Sequence, residues 1–187
     1  MAAGLIESLL GTRTLVVAAA ALTMVHLCFA AGCQEEVSNA TSSRVTLGSR
    51  TFTLELALDE QTRFRGLSGR TVIAEDGGML FVFSDSSTRS FVMRDCPIPI
   101  DIIYLDGTGR ITAMHEMKPE APRDPIKEPA PKNPFSEPDP YERRLKLYSS
   151  KFGAQYVIEL RGGTIPTLGL KEGQKIEIDP NLKKRAK

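Results

Sequence analysis

The stretch FVMRDCPIPIDIIYLDGTGRI, Phe91 to Ile111, restricts the fold more than any other part of the chain. Pro97 and Pro99 each fix φ near about −65° and remove a backbone donor, and they push Cys96 and Ile98 towards extended geometry. The segment therefore reads as a short strand at Phe91–Met93, a rigid corner, and a second strand over Ile100–Leu105. That second strand is rich in β-branched and aromatic residues. Asp106-Gly107 is a tight-turn signal, and Arg110 to Ala113 can return as the paired strand. Asp101 opens the apolar strand, where an unpaired carboxylate is costly. Arg94 and Asp95 stand just before the corner. Charge gathered there marks either a site or a solvated strand end.

The flanking sequence follows the same two-residue period. Val45 and Leu47 alternate with polar residues, Gly48-Ser49 can turn, and Phe52, Leu54, Leu56 and Leu58 alternate on the return, so Arg44 to Leu58 reads as a hairpin. Asp59 is an N-cap candidate for a short helix over Glu60–Phe64, closed by Gly66. Arg63, Arg65 and Arg70 cluster beside glycines, which suits either a backbone-plus-arginine anion site or ordinary solvated charges. Met79 to Phe83 is a buried strand, Ser84 to Thr88 a polar turn, and Ser90 to Met93 the return. Further on, Ala154–Leu160 is a strand, Thr164–Leu170 a turn or short helical piece, and Lys175–Ile178 a last strand. The expectation is a mostly β domain with one or two short helices.

Two segments break this pattern. Eight prolines fall between Pro119 and Pro140, mixed with charged residues, so residues 118–141 are expected to be an extended, exposed insertion. At the N-terminus, Arg13 precedes an apolar run from Thr14 to Gly32, and Phe29-Ala30-Ala31-Gly32-Cys33 resembles a lipoprotein signal with Cys33 as the lipidated residue. An uncleaved anchor and an ordinary cleaved signal compete with that reading, and all three export the domain. The expected organisation is a signal over residues 1–32, a tether over 33–43, the β domain over 44–179, and a basic tail over 180–187. The expected location is the bacterial cell envelope, on its periplasmic face, held to the membrane by the lipid or the N-terminal segment. With Cys33 acylated and Cys28 in the signal, Cys96 has no partner for an intramolecular disulfide.

Four ordered blocks carry a resemblance. They are Arg65-Gly66-Leu67-Ser68-Gly69-Arg70; Gly77-Gly78-Met79-Leu80-Phe81-Val82-Phe83; the corner itself; and Tyr156-Val157-Ile158-Glu159-Leu160-Arg161-Gly162-Gly163, followed by Gly169 to Gly173. Taken together, from about Val45 to Ile178, they resemble the domain-of-unknown-function-192 (DUF192) family of bacteria and archaea. Val92 stands where that family usually has Trp, and Arg94-Asp95-Cys96 where it has Lys-Asn-Thr. The resemblance implies a compact β-sandwich or partly closed barrel, and no particular activity.

Composition and side-chain inventory narrow the chemistry. A formal net charge of +1 is not the one-sided basic charge of a nucleic-acid binder, so no nucleic-acid partner is expected. Beyond the export segment His115 is the one histidine, which leaves Cys96–His115 nucleophilic catalysis poorly supported. Met114-His115-Glu116-Met117 offers soft metal ligands, but strand alternation sends them to opposite sides. No catalytic set, metal site or cofactor is therefore assigned. The leading expectation is an envelope-anchored module binding a small polar or anionic ligand, or a partner protein, in a cleft bordered by Arg65, Arg70, Met93, Arg94 and Asp101. Alternatives are a hydrolase-like enzyme using Asp101 and Glu159, whose convergence on one pocket is the discriminating feature, and a structural envelope protein acting through the proline-rich loop.

Overall fold

A computed structural model describes residues 40–133 and 139–187. The export segment, Cys28, Cys33 and the tether up to residue 39 lie outside these residues.

The alternating segment builds the first hairpin, β1 (Ser42–Leu47) against β2 (Arg50–Ala57). Val45, Leu47, Phe52 and Leu54 are buried, while Thr46 and Thr53 between them are exposed. Asp59 then caps α1 (Glu60–Arg65), accepting a 2.8 Å hydrogen bond from the Thr62 amide, and Gly66 ends the helix at φ 51°. The link through α1 lets β3 (Gly77–Phe91) lie parallel to β2. Past the proline corner, β4 (Ile100–Leu105) and β5 (Ile111–Met117) form an antiparallel hairpin. Then α2 (Pro140–Arg144) precedes β6 (Tyr148–Arg161), which inserts between β3 and β4, antiparallel to both. Two further short helices follow, α3 (Ile165–Leu168) and α4 (Asn181–Arg185).

The result is one mixed six-stranded sheet in the order β1-β2-β3-β6-β4-β5. The mostly β class stands, with four short helices among the described residues. The sheet is open, with β1 and β5 as its edges, so the partly closed barrel is not what forms. An apolar cluster packs on each face. One is built on Leu54, Leu80, Ile103, Ile158 and Leu160, with Leu168 and Ile176 over it. The other is built on Phe81, Met93, Ile102, Tyr104 and Val157, with Leu67 and Ile73 over it. Successive β6 residues therefore serve opposite cores, as the strand period requires. Gly78 permits the tight approach of β3 to β6, since a Cβ there would lie 2.2 Å from the Glu159 carbonyl oxygen.

Two local expectations change. Ser84–Thr88 is strand rather than turn, because β3 runs on through a register shift between Val82 and Ser87. The Gln155 side chain, itself buried, donates to the Phe83 carbonyl at 3.1 Å and supplies a partner where the ladder is interrupted. Lys175–Ile178 is not a strand. Only Arg110 and Lys175 form a bridge, although Ile176 and Gln174 exchange backbone bonds with the β4–β5 turn.

Candidate functional site

The proline corner meets the end of α1. Ser68 Oγ and Cys96 Sγ both donate to the Arg94 carbonyl, at 2.9 and 3.3 Å, and the Gly69 amide donates to the Asp95 carbonyl at 2.8 Å. Asp95 sits at φ 53°, an unusual conformation for a residue with a Cβ, and its amide donates to Tyr141 Oη at 3.1 Å. Tyr141 is buried at the start of α2, with the Arg123 and Arg144 guanidinium groups 4.6 and 4.8 Å from its ring centre. Arg123 in turn holds Asp139 through two hydrogen bonds of 2.9 and 2.5 Å. The end of the proline-rich insertion is therefore fastened to the corner.

Between α1, β3, the corner and α2 lies an open cleft of about 450 Å³. Arginines 63, 65, 89 and 94 line it, with Phe64, Leu67, Phe81, Phe83 and Phe91 as apolar wall and Glu60 and Glu142 as acids. Three of the arginines are held in place. Arg94 pairs with Glu142 at 2.5 Å, donates to the Phe64 carbonyl, and stacks 3.7 Å from the Phe64 ring centre. Arg89 stacks 3.4 Å from the Phe83 ring centre and donates to the Ala154 carbonyl at 2.8 Å. Arg63 donates to the Val82 carbonyl at 3.1 Å. Arg65 is exposed at the rim.

Glu159 also lines the cleft, only 5% exposed. Its Oε2 lies 3.7 Å from where a Cβ on Gly66 would stand, so the glycine that ends α1 leaves the space beside it. Among the described residues its carboxyl makes no hydrogen bond or ion pair. Burial pushes it up to about 8, and the charge of Arg70 only partly opposes that. Glu159 at pH 7 is thus mainly a neutral carboxylic acid, one O–H donor turned to an aromatic, arginine-rimmed cleft. The Cys96 thiol beside it is pushed up to about 11 by burial and by Glu159, so it is a poor nucleophile.

The sequence-derived candidates separate. Arg65 and Arg94 line the cleft. Arg70 forms a two-pronged pair with Glu55, at 2.5 and 2.7 Å, and reaches the site through its charge alone. Met93 is 1% exposed and packs in the core beneath. Asp101 lies on the other face of the sheet: it stands opposite Leu160, whereas Ile102 stands opposite Glu159. Its carboxylate accepts from the amides of Gly163 at 3.1 Å and Ile165 at 2.6 Å, not from an arginine. The two acids therefore do not converge, and the hydrolase arrangement fails its geometric condition. His115 donates to the Ser149 carbonyl at 2.7 Å and meets the Tyr104 and Tyr148 rings edge to face, away from the cleft lining. Among the described residues no three His, Cys, Asp or Glu side chains gather as metal ligands. Arg89 carried no local signal in the sequence; the strand through residues 84–88 and its stacking on Phe83 place it here.

A family model, DUF192, described as "Uncharacterized ACR", matches residues 43–178. No curated protein matches. A solved structure from Sinorhizobium meliloti 1021, described as a proposed transcription regulator, shares 26% identity with a TM-score of 0.54, covering 75% of this chain and 97% of that one. A protein of unknown function from Novosphingobium aromaticivorans DSM 12444 shares 23% identity with a TM-score of 0.57, covering 73% of this chain and 85% of that one, and is similar in fold.

Proposed function

The chain belongs to the DUF192 family, and we propose that its domain is a binding module, not a catalyst, taking a small polar or anionic ligand in the cleft beside α1. One observation carries this reading. Glu159, a residue only 5% exposed, has no protein partner for its carboxyl among the described residues and meets the open, arginine-rimmed cavity instead, so a ligand there has a polar group to bond. The volume is that of a small-molecule site, and aromatic walls with few polar groups are the usual construction of one. Separation of Asp101 from Glu159 by the sheet, together with a thiol held protonated, supports binding over hydrolysis.

We further propose that the N-terminal segment holds this module at the bacterial envelope, a reading supported by the apolar run and Cys33 in the sequence. The regulator description of the Sinorhizobium protein is not extended to this chain, whose net charge of +1 offers no basic footprint for nucleic acid. The binding proposal is tested by mass spectrometry of small molecules released from the purified full chain and from Gly66→Leu, which fills the space beside Glu159. A ligand present with the wild type and lost from a folded Gly66→Leu supports it. The same molecules in both samples would refute it. Anchoring is tested separately, by fatty-acid analogue labelling: Cys33→Ser is expected to take no label, and equal labelling refutes lipidation.

A further inference from the structure

We propose that the cleft is a site for a small organic carboxylate with an apolar body, whose anionic oxygens lie between the Arg65 guanidinium and the Glu159 carboxyl while its body lies against Phe81, Phe83, Phe91 and Leu67. This rests on the binding reading above and narrows it to one ligand class.

Charge sign comes first. Four arginines line the cleft against Glu60 and Glu142, and even with Asp85 paired to Arg89 the positive groups outnumber these acids, so the field inside favours anions over cations. Anion type comes next. Arg63, Arg89 and Arg94 already spend donors on the carbonyls of Val82, Ala154 and Phe64, Arg63 also on the Lys187 carbonyl, Arg89 also on Asp85 and Arg94 also on Glu142. The cleft thus presents one uncommitted acid proton at Glu159 and one exposed guanidinium at Arg65, among aromatic rings. That set suits a singly charged group on an apolar body better than a doubly charged phosphate, whose oxygens need more donors once desolvated.

The Glu159 proton is set by everything packed around it. From α1 and the turn after it come Glu60, Arg63, Arg65 and Arg70; from β3, Arg89; from the corner, Arg94 and Cys96; from β4, Tyr104; from α2, Glu142. Of these, the charge of Arg70 is what draws the carboxyl down, against a larger effect of burial that leaves it near 8. Tyr104 and Cys96 are both pushed up and stay protonated through neutral pH. An anion accepting from Glu159 therefore binds best when that acid holds its proton, and is repelled once it ionises. A cation would show the opposite slope.

Calorimetric titration of the full chain with phenylacetate, benzylamine and phenyl phosphate at pH about 6.5 and about 9.5 tests this. Phenylacetate is expected to bind at the lower pH and to weaken about tenfold or more at the higher. Glu159→Gln keeps a donor and cannot ionise, so it should bind phenylacetate about equally at both pH values. Arg65→Ala, a rim change that leaves the core alone, should weaken phenylacetate about threefold. Tighter binding of benzylamine or of phenyl phosphate overturns the carboxylate assignment while leaving a ligand cleft in place. A pH slope that survives in Glu159→Gln overturns the role of Glu159. No binding of any probe overturns the binding reading itself.

Discussion

Asp101 and Glu159 lie on neighbouring strands, one residue out of register, and both are buried, at 1% and 5% exposure. The sheet separates them, and their surroundings differ in kind. On one face, the turn after β6 wraps back so that two backbone amides meet the Asp101 carboxylate. Burial still raises Asp101, but those amides pull against it. On the other face, α1 ends at Gly66 and leaves Glu159 facing a cavity with only the field of Arg70 in opposition. A buried acid whose oxygens are satisfied is part of the fold. An acid at the wall of an opening, with no partner from the protein, is left to meet solvent or a ligand.

The largest expected effect separates the two through pH. Native Glu159 keeps its proton where the unfolded chain, near 4.5, has released it. The native state therefore binds more protons between about 4.5 and 8, and stability falls as pH rises through that window, by on the order of 5 kcal/mol. Denaturant unfolding from pH about 5 to about 9 should show the decline, and Glu159→Gln should flatten it. Next, Asp101→Ala leaves the Gly163 and Ile165 amides without their acceptor and should cost about 3 kcal/mol in the same assay, with cleft binding intact. An unchanged unfolding free energy would mean that the Asp101 carboxylate is not what holds the turn.

Two smaller effects concern the wall of the cleft. Arg123→Ala removes the pair with Asp139 and the contact with Tyr141, and should lower stability by about 1 kcal/mol. It should also weaken ligand binding by loosening α2, which Asp101→Ala should not do. Glu142→Gln removes only the half-exposed partner of Arg94 and should cost about 0.5 kcal/mol. Thermal unfolding of both variants beside the wild type checks the order.

The elements legible in the sequence are those whose cause is local. Asp59 and Gly66 bracket α1 as capping chemistry predicts, and alternation about Gly48-Ser49 gives the first hairpin. Asp101 was readable as an acid needing a partner, because a carboxylate in an apolar strand always does. Its partner was not readable, since Gly163 and Ile165 lie more than sixty residues away and offer backbone rather than charge. The same limit hid the continuation of β3, which depends on Gln155 repairing the ladder at Phe83, and the anchoring of Tyr141, which depends on Arg123 and Arg144. Arg65 and Arg94 were found through their place beside glycines and the corner, whereas Arg89 enters the cleft only through tertiary packing on Phe83. Met93, at a strand end next to charge, reads in the sequence as a rim residue, but its side chain turns into the core.

Glu159 meets the cleft without a protein partner, and its own titration shows most directly whether it holds a proton there. Carbon-13 NMR of side-chain carboxyls, with Glu159 assigned by its loss in Glu159→Gln, follows each acid through pH. A Glu159 midpoint near 8 is expected in the free protein, moving higher when phenylacetate is present. A midpoint near the ordinary glutamate value of 4.5, unmoved by phenylacetate, would contradict it.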